Sequence, residues 1–361
     1  MNQGKLKTAI LGLGEGGKCL LEAASQSDYF ELVAVADKDG RLAEQTGEQY
    51  GCASYDDYRQ LIIQGGFDCL LVAAGMHSCE QYVKSAIKNK CNILKLAPPA
   101  RDFEEAAELV RLAEDAKVRF AVANAGRFAG GFVEFQKDVR QADSGQYVLM
   151  TAECEVGEHE VAAWQSDAKL AGGGVLLYDC YELIDEIVAS FGVPEQVYSV
   201  NTSTAGDRQQ RLYRSEDTAV VTMVFGEAFV GSLTASRALA GGPENKYIRL
   251  HTKDKTLTVT NCGFSAIDRR GKNEEQKEYE PDRLGCMKKV LENFALSILK
   301  PDKNELVSSG SENLRNMAVI EAAYLSARTG FPEQPGRILQ MARLEAINIL
   351  ERAEGKRKID I

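Results

Sequence analysis

A doubly wound α/β domain followed by an α+β domain with an open, mostly antiparallel sheet is the architecture this sequence predicts. Three observations carry the prediction. Residues 6–123 alternate short apolar runs with helical stretches, the rhythm of parallel strands joined by crossover helices. The first of those runs ends in a glycine-rich turn. From residue 146 onward, apolar runs succeed one another across short turns, as antiparallel strands do. At 361 residues the chain can bury two cores, and the units are expected to be 1–124 and 125–361.

In the first unit the expected strands are LKTAIL, ELVAVA, DCLLVAA, CNILKL and RFAVAN. Helical patterns lie near 16–26, 41–50, 55–64, 79–89 and 103–115. In the second unit, helical signals near 131–142 and 174–190 accompany the strand-like runs QYVLMTAECEV, QVYSVNTST, TAVVTMVFG, AFVGSLTASR, KYIRLHT and KTLTVTN. DRRGKNEEQKEYEPDR, 268–283, is expected to be a solvated loop, and helical patterns near 286–300, 311–329 and 337–354 close the chain.

Composition removes several function classes. A net charge of −10 and a pI near 5.1 argue against nucleic acid or an anionic membrane surface as a partner. No apolar run approaches the ~20 residues a membrane helix needs. The N-terminus enters a strand almost at once, without a signal-peptide core. Nine cysteines without a C-x-x-C pair fit reduced thiols in a cytoplasm, and no metal site is expected.

The glycine turn is GLGEGG, with Gly12, Gly14 and Gly17 at G-x-G-x-x-G spacing. Gly12 permits the tight turn, Gly14 lets the backbone approach a pyrophosphate, and Gly17 lets helix and strand pack closely. Asp37 closes the second strand 20 residues after Gly17, where an acid accepts hydrogen bonds from the ribose hydroxyls of NAD. Ala73 and Leu96, at the ends of later strands, join these four as expected cofactor-binding residues. Lys38 can meet a 2′-phosphate, which leaves NADP open. Glu15 puts a carboxylate into the phosphate loop. The bland alternative is a plain turn with an aspartate that caps the next helix.

GLGEGG, VADKD, WQSDAKLAGGGVLL (164–177) and EAAYLSARTG (321–330) together resemble the glucose–fructose oxidoreductase / inositol dehydrogenase (Gfo/Idh/MocA) family over nearly the whole chain. The resemblance implies NAD(P) held by the first domain, and a second domain whose open sheet commonly makes homodimers or homotetramers. It also implies a sugar, polyol or related substrate, reached in the cleft and changed by hydride transfer.

The chain departs from that family where the chemistry sits. The family's Glu-Lys-Pro after the fifth strand falls on Leu96, Ala97 and Pro98, so its lysine is replaced by alanine. Lys95 is on the same side of a regular strand but roughly 6–7 Å further back, and its bland reading is a strand-end lysine reaching solvent. After the triple glycine the family has an aspartate and, four residues later, a histidine that accepts the hydroxyl proton. Here Tyr178 and Glu182 take those places, with i, i+4 spacing that puts both on one helical face. Asp179, Tyr181 and Asp185 turn to other faces. The candidate catalytic residues are therefore Tyr178, Glu182 and Lys95. His77 follows the fourth strand, where it lies either near the nicotinamide side or as a plain loop histidine, and Arg127, Trp164 and Arg237 are cleft or structural residues. Three readings stay open: an oxidoreductase with altered acid/base groups, a non-catalytic nucleotide- and sugar-binding relative, and an enzyme using NAD as a transient hydride store.

Overall fold

Six parallel strands build the first sheet: β1 (Leu6–Leu11), β2 (Phe30–Ala36), β3 (Ala53–Tyr55), β4 (Cys69–Val72), β5 (Asn92–Leu96) and β6 (Phe120–Ala123). The computed structural model describes residues 4–157, 162–204, 215–227, 229–237, 244–268 and 273–341. The strand order is β3-β2-β1-β4-β5-β6, so the chain reverses direction across the sheet between β1 and β4. That switch point opens the crevice where such sheets bind ligands. The strands are apolar on both faces because helices cover both: α1 (Glu15–Ser25), α2 (Gly40–Tyr50), α3 (Tyr58–Gln64), α4 (Met76–Lys88) and α5 (Phe103–Ala116).

Helix starts divide into two kinds. Asp39, Asp57 and Asp102 cap α2, α3 and α5 by accepting backbone N–H groups, as short acids do at N-caps. α1 and α4, which flank the switch point, begin at Gly14 and Gly75 with no side-chain cap. Their first N–H groups are left for something else, and the positive end of the helix dipole favours an anion.

A short 3-10 turn, Ala125–Phe128, and α6 (Gly130–Gln141) lead into the second domain. Its strands are β7 (Tyr147–Glu155), β8 (Gln196–Thr202), β9 (Thr218–Phe225), β10 (Phe229–Ser236), β11 (Asn245–Thr252), β12 (Lys255–Thr260), β13 (Gly263–Asp268) and β14 (Asn273–Glu278). They form one sheet of order β14-β13-β12-β11-β7-β10-β9-β8, antiparallel except for the β7–β10 pair. Between β7 and β8 lie α7 (Ala163–Ser166), α8 (Ala168–Ala171), α9 (Val175–Tyr178) and α10 (Tyr181–Phe191). One face of the sheet packs its alternate residues, such as Met150, Val221, Leu233 and Ile248, into the core. The other face leaves Val148, Tyr198, Val200, Val220 and Val230 exposed.

Two late helices return to the first domain. α11 (Arg283–Leu299) packs on α1, and α12 (Gly310–Thr329) lies between α5 and β8. The larger hydrophobic core consequently runs from the first sheet into the second without a break.

The structure corrects the sequence reading in three places. β3, only three residues long, carried no periodic signal. The charged segment 268–283 is not all loop, since Asn273–Glu278 is the edge strand β14. Charge suits an edge strand, because it discourages pairing with a further chain. The helix expected over 174–190 is two helices, with the N–H groups of both Asp179 and Cys180 donating to Val175 O at 3.1 and 2.9 Å. Of the helix expected at 337–354, residues 337–341 are helical, and from 342 on it lies outside the described residues. No helix among the described residues is long and apolar enough to cross a membrane.

Candidate active site

The glycine turn is built for close approach. Gly12 has φ +92°, and a Cβ there would lie 2.6 Å from Ala74 N; a Cβ on Gly17 would collide with Gly12 O. Gly14 differs: a Cβ there would meet nothing within 4 Å, so its hydrogens face open space at the uncapped start of α1. Asp37 is held in position by the Leu13 N–H (2.6 Å) and the Asp39 N–H (2.9 Å), one on each carboxylate oxygen. Each oxygen keeps a free lone pair for a diol. Ala73 packs against Gly17, its Cβ 3.4 Å from where a Cβ on Gly17 would stand, and Leu96 Cδ1 would lie 2.5 Å from a Cβ on Gly16. All six residues expected at the cofactor therefore gather at one crevice. Lys38 lies beside them, its Nζ 5.8 Å from the centre of the Tyr58 ring.

Lys95 does not reach solvent. It is 4% exposed and donates to Leu96 O at 2.9 Å, and burial lowers its pKa despite the nearby Cys79 and Glu105. The reading of a strand-end lysine in water is corrected: the alternation that puts Lys95 beside Ala97 also turns it under α4 and α5, into the core.

The triple glycine docks one domain on the other. Side chains on Gly172, Gly173 and Gly174 would collide with Arg101 O, Tyr324 Oη and Glu216 O respectively. Glu216 holds the following turn, accepting the Leu176 N–H (3.1 Å) and the Tyr324 O–H (2.8 Å). The chain leaves this node into Tyr178 and then α10.

Tyr178 ends α9 and Glu182 lies in the first turn of α10, so the single helical face expected for the pair is interrupted between them, and their polar ends go to different neighbourhoods. The Tyr178 O–H donates to Ala171 O at 2.7 Å, and burial raises its pKa. Its ring meets Trp164 edge-on at 5.7 Å, and Trp164 lies over His77 at 4.4 Å, so three aromatic rings bridge the domains. His77 is not a loop residue but stands in the first turn of α4; burial and the Lys38 and Arg101 charges lower its pKa, and its Nδ1 has no hydrogen-bond partner among the described residues. His251 lies on β11, with Nδ1 3.1 Å from Thr256 Oγ1, and His159 lies outside the described residues.

The Glu182 side chain is exposed to solvent near the start of α10. Its Oε1 accepts the Ala125 N–H at 3.3 Å. Desolvation raises its pKa against the opposing charges of Lys246 and Arg283. One turn on, Glu186 rests against Gly126, and burial with the Glu182 charge pushes its carboxyl up to about 8. Sequence reasoning missed Glu186 and Lys246. Glu186 was findable, since it repeats the i, i+4 step from Glu182; Lys246, on a distant strand, gave no local signal.

The acids expected on other faces are there. Asp185 is fully buried and holds Arg127 at 2.6 and 2.7 Å while accepting from Asn316 Nδ2 at 2.6 Å. Asp179 accepts from Arg237 Nε at 2.8 Å, and Tyr181 donates to Asn313. Arg127 and Arg237 thus serve as structural counter-ions. Among the described residues no three His, Cys, Asp or Glu side chains are grouped to hold a metal ion.

Comparisons with known proteins agree with this two-domain fold. Residues 6–124 match the profile of the oxidoreductase family's NAD-binding Rossmann fold, and residues 147–332 match that of its C-terminal alpha/beta domain. The chain is 23% identical over 354 residues to D-apiose dehydrogenase of Rhizobium rhizogenes, which covers 94% of this chain and 100% of that protein. Among solved structures, an Agrobacterium radiobacter oxidoreductase in complex with NAD+, L-tartaric acid and magnesium superposes with TM-score 0.80 at 18% identity, over 93% of this chain and 100% of that one. Aldose-aldose oxidoreductase from Caulobacter crescentus, complexed with glycerol, superposes with TM-score 0.77 at 19% identity, over 92% and 100%. With a Rossmann domain whose open glycine cradle and oriented Asp37 fit NAD, and a second domain matched across its sheet, the chain belongs to the Gfo/Idh/MocA oxidoreductase family.

Proposed function

We propose that this protein is an NAD-dependent oxidoreductase acting on a sugar, polyol or related carbonyl compound, with Glu182 in the acid/base place that the family gives to histidine. Gly14 and the uncapped start of α1 hold the pyrophosphate, Asp37 holds the adenosine ribose, and Ala73 and Leu96 line the crevice. The bound nicotinamide supplies or accepts hydride. Glu182 moves the proton of the reacting oxygen, and a positioned acid or base of this kind contributes about 10²–10⁴-fold. Tyr178, its proton committed to Ala171, walls the cleft together with Trp164 and His77. Lys95 stays out of the chemistry because it is buried.

The observation carrying this reading is a solvent-exposed carboxyl at the family's histidine position, which accepts the N–H of Ala125 just past the last strand of the first sheet. Its surroundings raise its pKa, the direction in which a carboxyl becomes able to give a proton as well as take one. Lys38 keeps NADP as a second cofactor choice. The exposed valines and Tyr198 on the outer sheet face support a homodimer or homotetramer through that face, and nine free cysteines support a cytoplasmic location.

Ala97 favours a second reading, in which the chain binds nucleotide and sugar without turnover. A methyl group cannot hydrogen-bond the reacting hydroxyl as the family lysine does. Titration with NADH, read as energy transfer from Trp164, followed by a panel of sugars and keto-sugars, separates the two. NADH oxidation by a panel member supports the enzyme; binding without turnover across the panel supports the sensor.

A further inference from the structure

We propose that His77 is a specificity-determining residue: its Nε2–H donates to an oxygen of the substrate bound between the domains. This rests on the sugar or carbonyl substrate proposed above. His77 stands in the first turn of α4, three residues after Ala74. Ala74 itself lies against the glycine turn, since a Cβ on Gly12 would come within 2.6 Å of its N. On the other side the His77 ring meets Trp164 of α7, in the second domain, at 4.4 Å. His77 therefore lines the crevice from the first domain where that domain faces the second, and such inter-domain crevices hold small molecules.

The two ring nitrogens have different surroundings. Nδ1 and Cε1 form the covered edge, each 2.9 Å from where a Cβ on Gly75 would stand, and Trp164 Cη2 reaches the same point at 3.1 Å. Nδ1 is buried there and has no hydrogen-bond partner among the described residues. The residue as a whole is half-buried, and Nε2, on the opposite edge of the ring, stays open. A neutral imidazole carries one proton, and an N–H enclosed without an acceptor is costly. That assigns the proton to Nε2, as a donor directed away from Gly75. A second proton would have to go on Nδ1, as a charged donor with nothing to receive it. Burial acts in the same direction, followed by the charges of Lys38 just past β2 and Arg101 just ahead of α5, so the ring stays neutral to below its ordinary 6.5.

A neutral donor fixed in this way selects for an acceptor. Carbonyl and hydroxyl oxygens both accept, so sugars, keto-sugars and polyols suit it, and an analogue lacking that oxygen leaves the N–H unpaired. Ala97 offers no donor, and His77 supplies one from the adjacent turn: β4 and β5 are neighbours, with Val72 paired to Lys95, so the turns that follow them lie side by side.

Two measurements decide. Nitrogen-15 spectra of histidine-labelled protein, with the His77 signals identified by their absence from His77→Gln, should show a neutral ring protonated on Nε2 that keeps this form below pH 6.5. A proton on Nδ1, or a second proton taken up at or above 6.5, overturns the proposal. The second measurement follows Trp164 emission in NAD+-loaded protein as the panel of sugars and keto-sugars is added, because Trp164 lies over His77. At least one panel member should bind, and His77→Phe should hold it about 3–10-fold more weakly, the share of a hydrogen bond between neutral groups. His77→Gln, which keeps an N–H donor at the end of its side chain, should restore most of that affinity. NAD+ affinity should be the same in all three proteins. No response of wild type to any panel member, or equal binding by wild type and His77→Phe, overturns the proposal. Binding that depends on His77 without NADH oxidation contradicts the oxidoreductase reading and leaves this one standing. NADH oxidation at a KM that His77→Phe does not raise does the reverse.

Discussion

Gly14→Ala separates a phosphate cradle from a plain turn. Gly14 has φ −60° and ψ −173°, which alanine adopts freely, and its added Cβ would meet no protein atom within 4 Å. Alanine is a poorer N-cap than glycine by some tenths of a kcal/mol. Glycine replacement at a compatible position restores about 0.4–1 kcal/mol through the unfolded chain. The two nearly cancel, so the melting temperature should barely move. The methyl group instead occupies the place where pyrophosphate would approach the N–H groups of α1. Losing two hydrogen bonds to a charged group, about 1.5–3 kcal/mol each, weakens NADH binding by roughly 10²–10⁴-fold. Energy transfer from Trp164 to NADH measures this, because Trp164 lies against Gly75 at the start of α4, beside the same crevice. Gly17→Ala is the contrast: its Cβ collides with Gly12 O, so the protein itself is destabilised. Unchanged NADH affinity in Gly14→Ala would refute the assignment of this turn to phosphate.

Two further outcomes follow. Asp185→Ala leaves the Arg127 guanidinium buried without its counter-ion and should cost about 3–5 kcal/mol in denaturant unfolding; a loss below about 1 kcal/mol would mean that water replaces the pair. Asp37→Ser removes the charge that favours a ribose diol and leaves Lys38 in place, so the ratio of NADPH to NADH affinity should rise. A ratio that does not move would show that the ribose is held elsewhere.

The parts of the fold legible in the sequence were those whose burial imposes a period. Apolar strands between amphipathic helices announced the first sheet, and GLGEGG with Asp37 announced the crevice, because close approach and a diol restrict residue type. β3 and β14 stayed hidden, one too short for a pattern and the other a charged edge. The break between α9 and α10 had no glycine or proline to mark it. In the site, sequence spacing put Tyr178 and Glu182 on one face of a continuous helix, but the helix breaks between them and tertiary partners decide where each side chain ends. Tyr178 turned to Ala171, and Glu182 turned to Ala125. Lys95 was placed on the correct side of its strand, though that side proved to be the core rather than the cleft. The triple glycine was readable as a signature, while its physical cause, contact with Arg101, Tyr324 and Glu216, required the fold.

The most direct measurement compares wild type with Glu182→Gln for NADH affinity and for NADH oxidation by whichever sugar carbonyl wild type reduces. The account predicts equal NADH affinity and a loss of kcat/KM of about 10²-fold or more. Equal turnover by the variant would contradict the place given to Glu182.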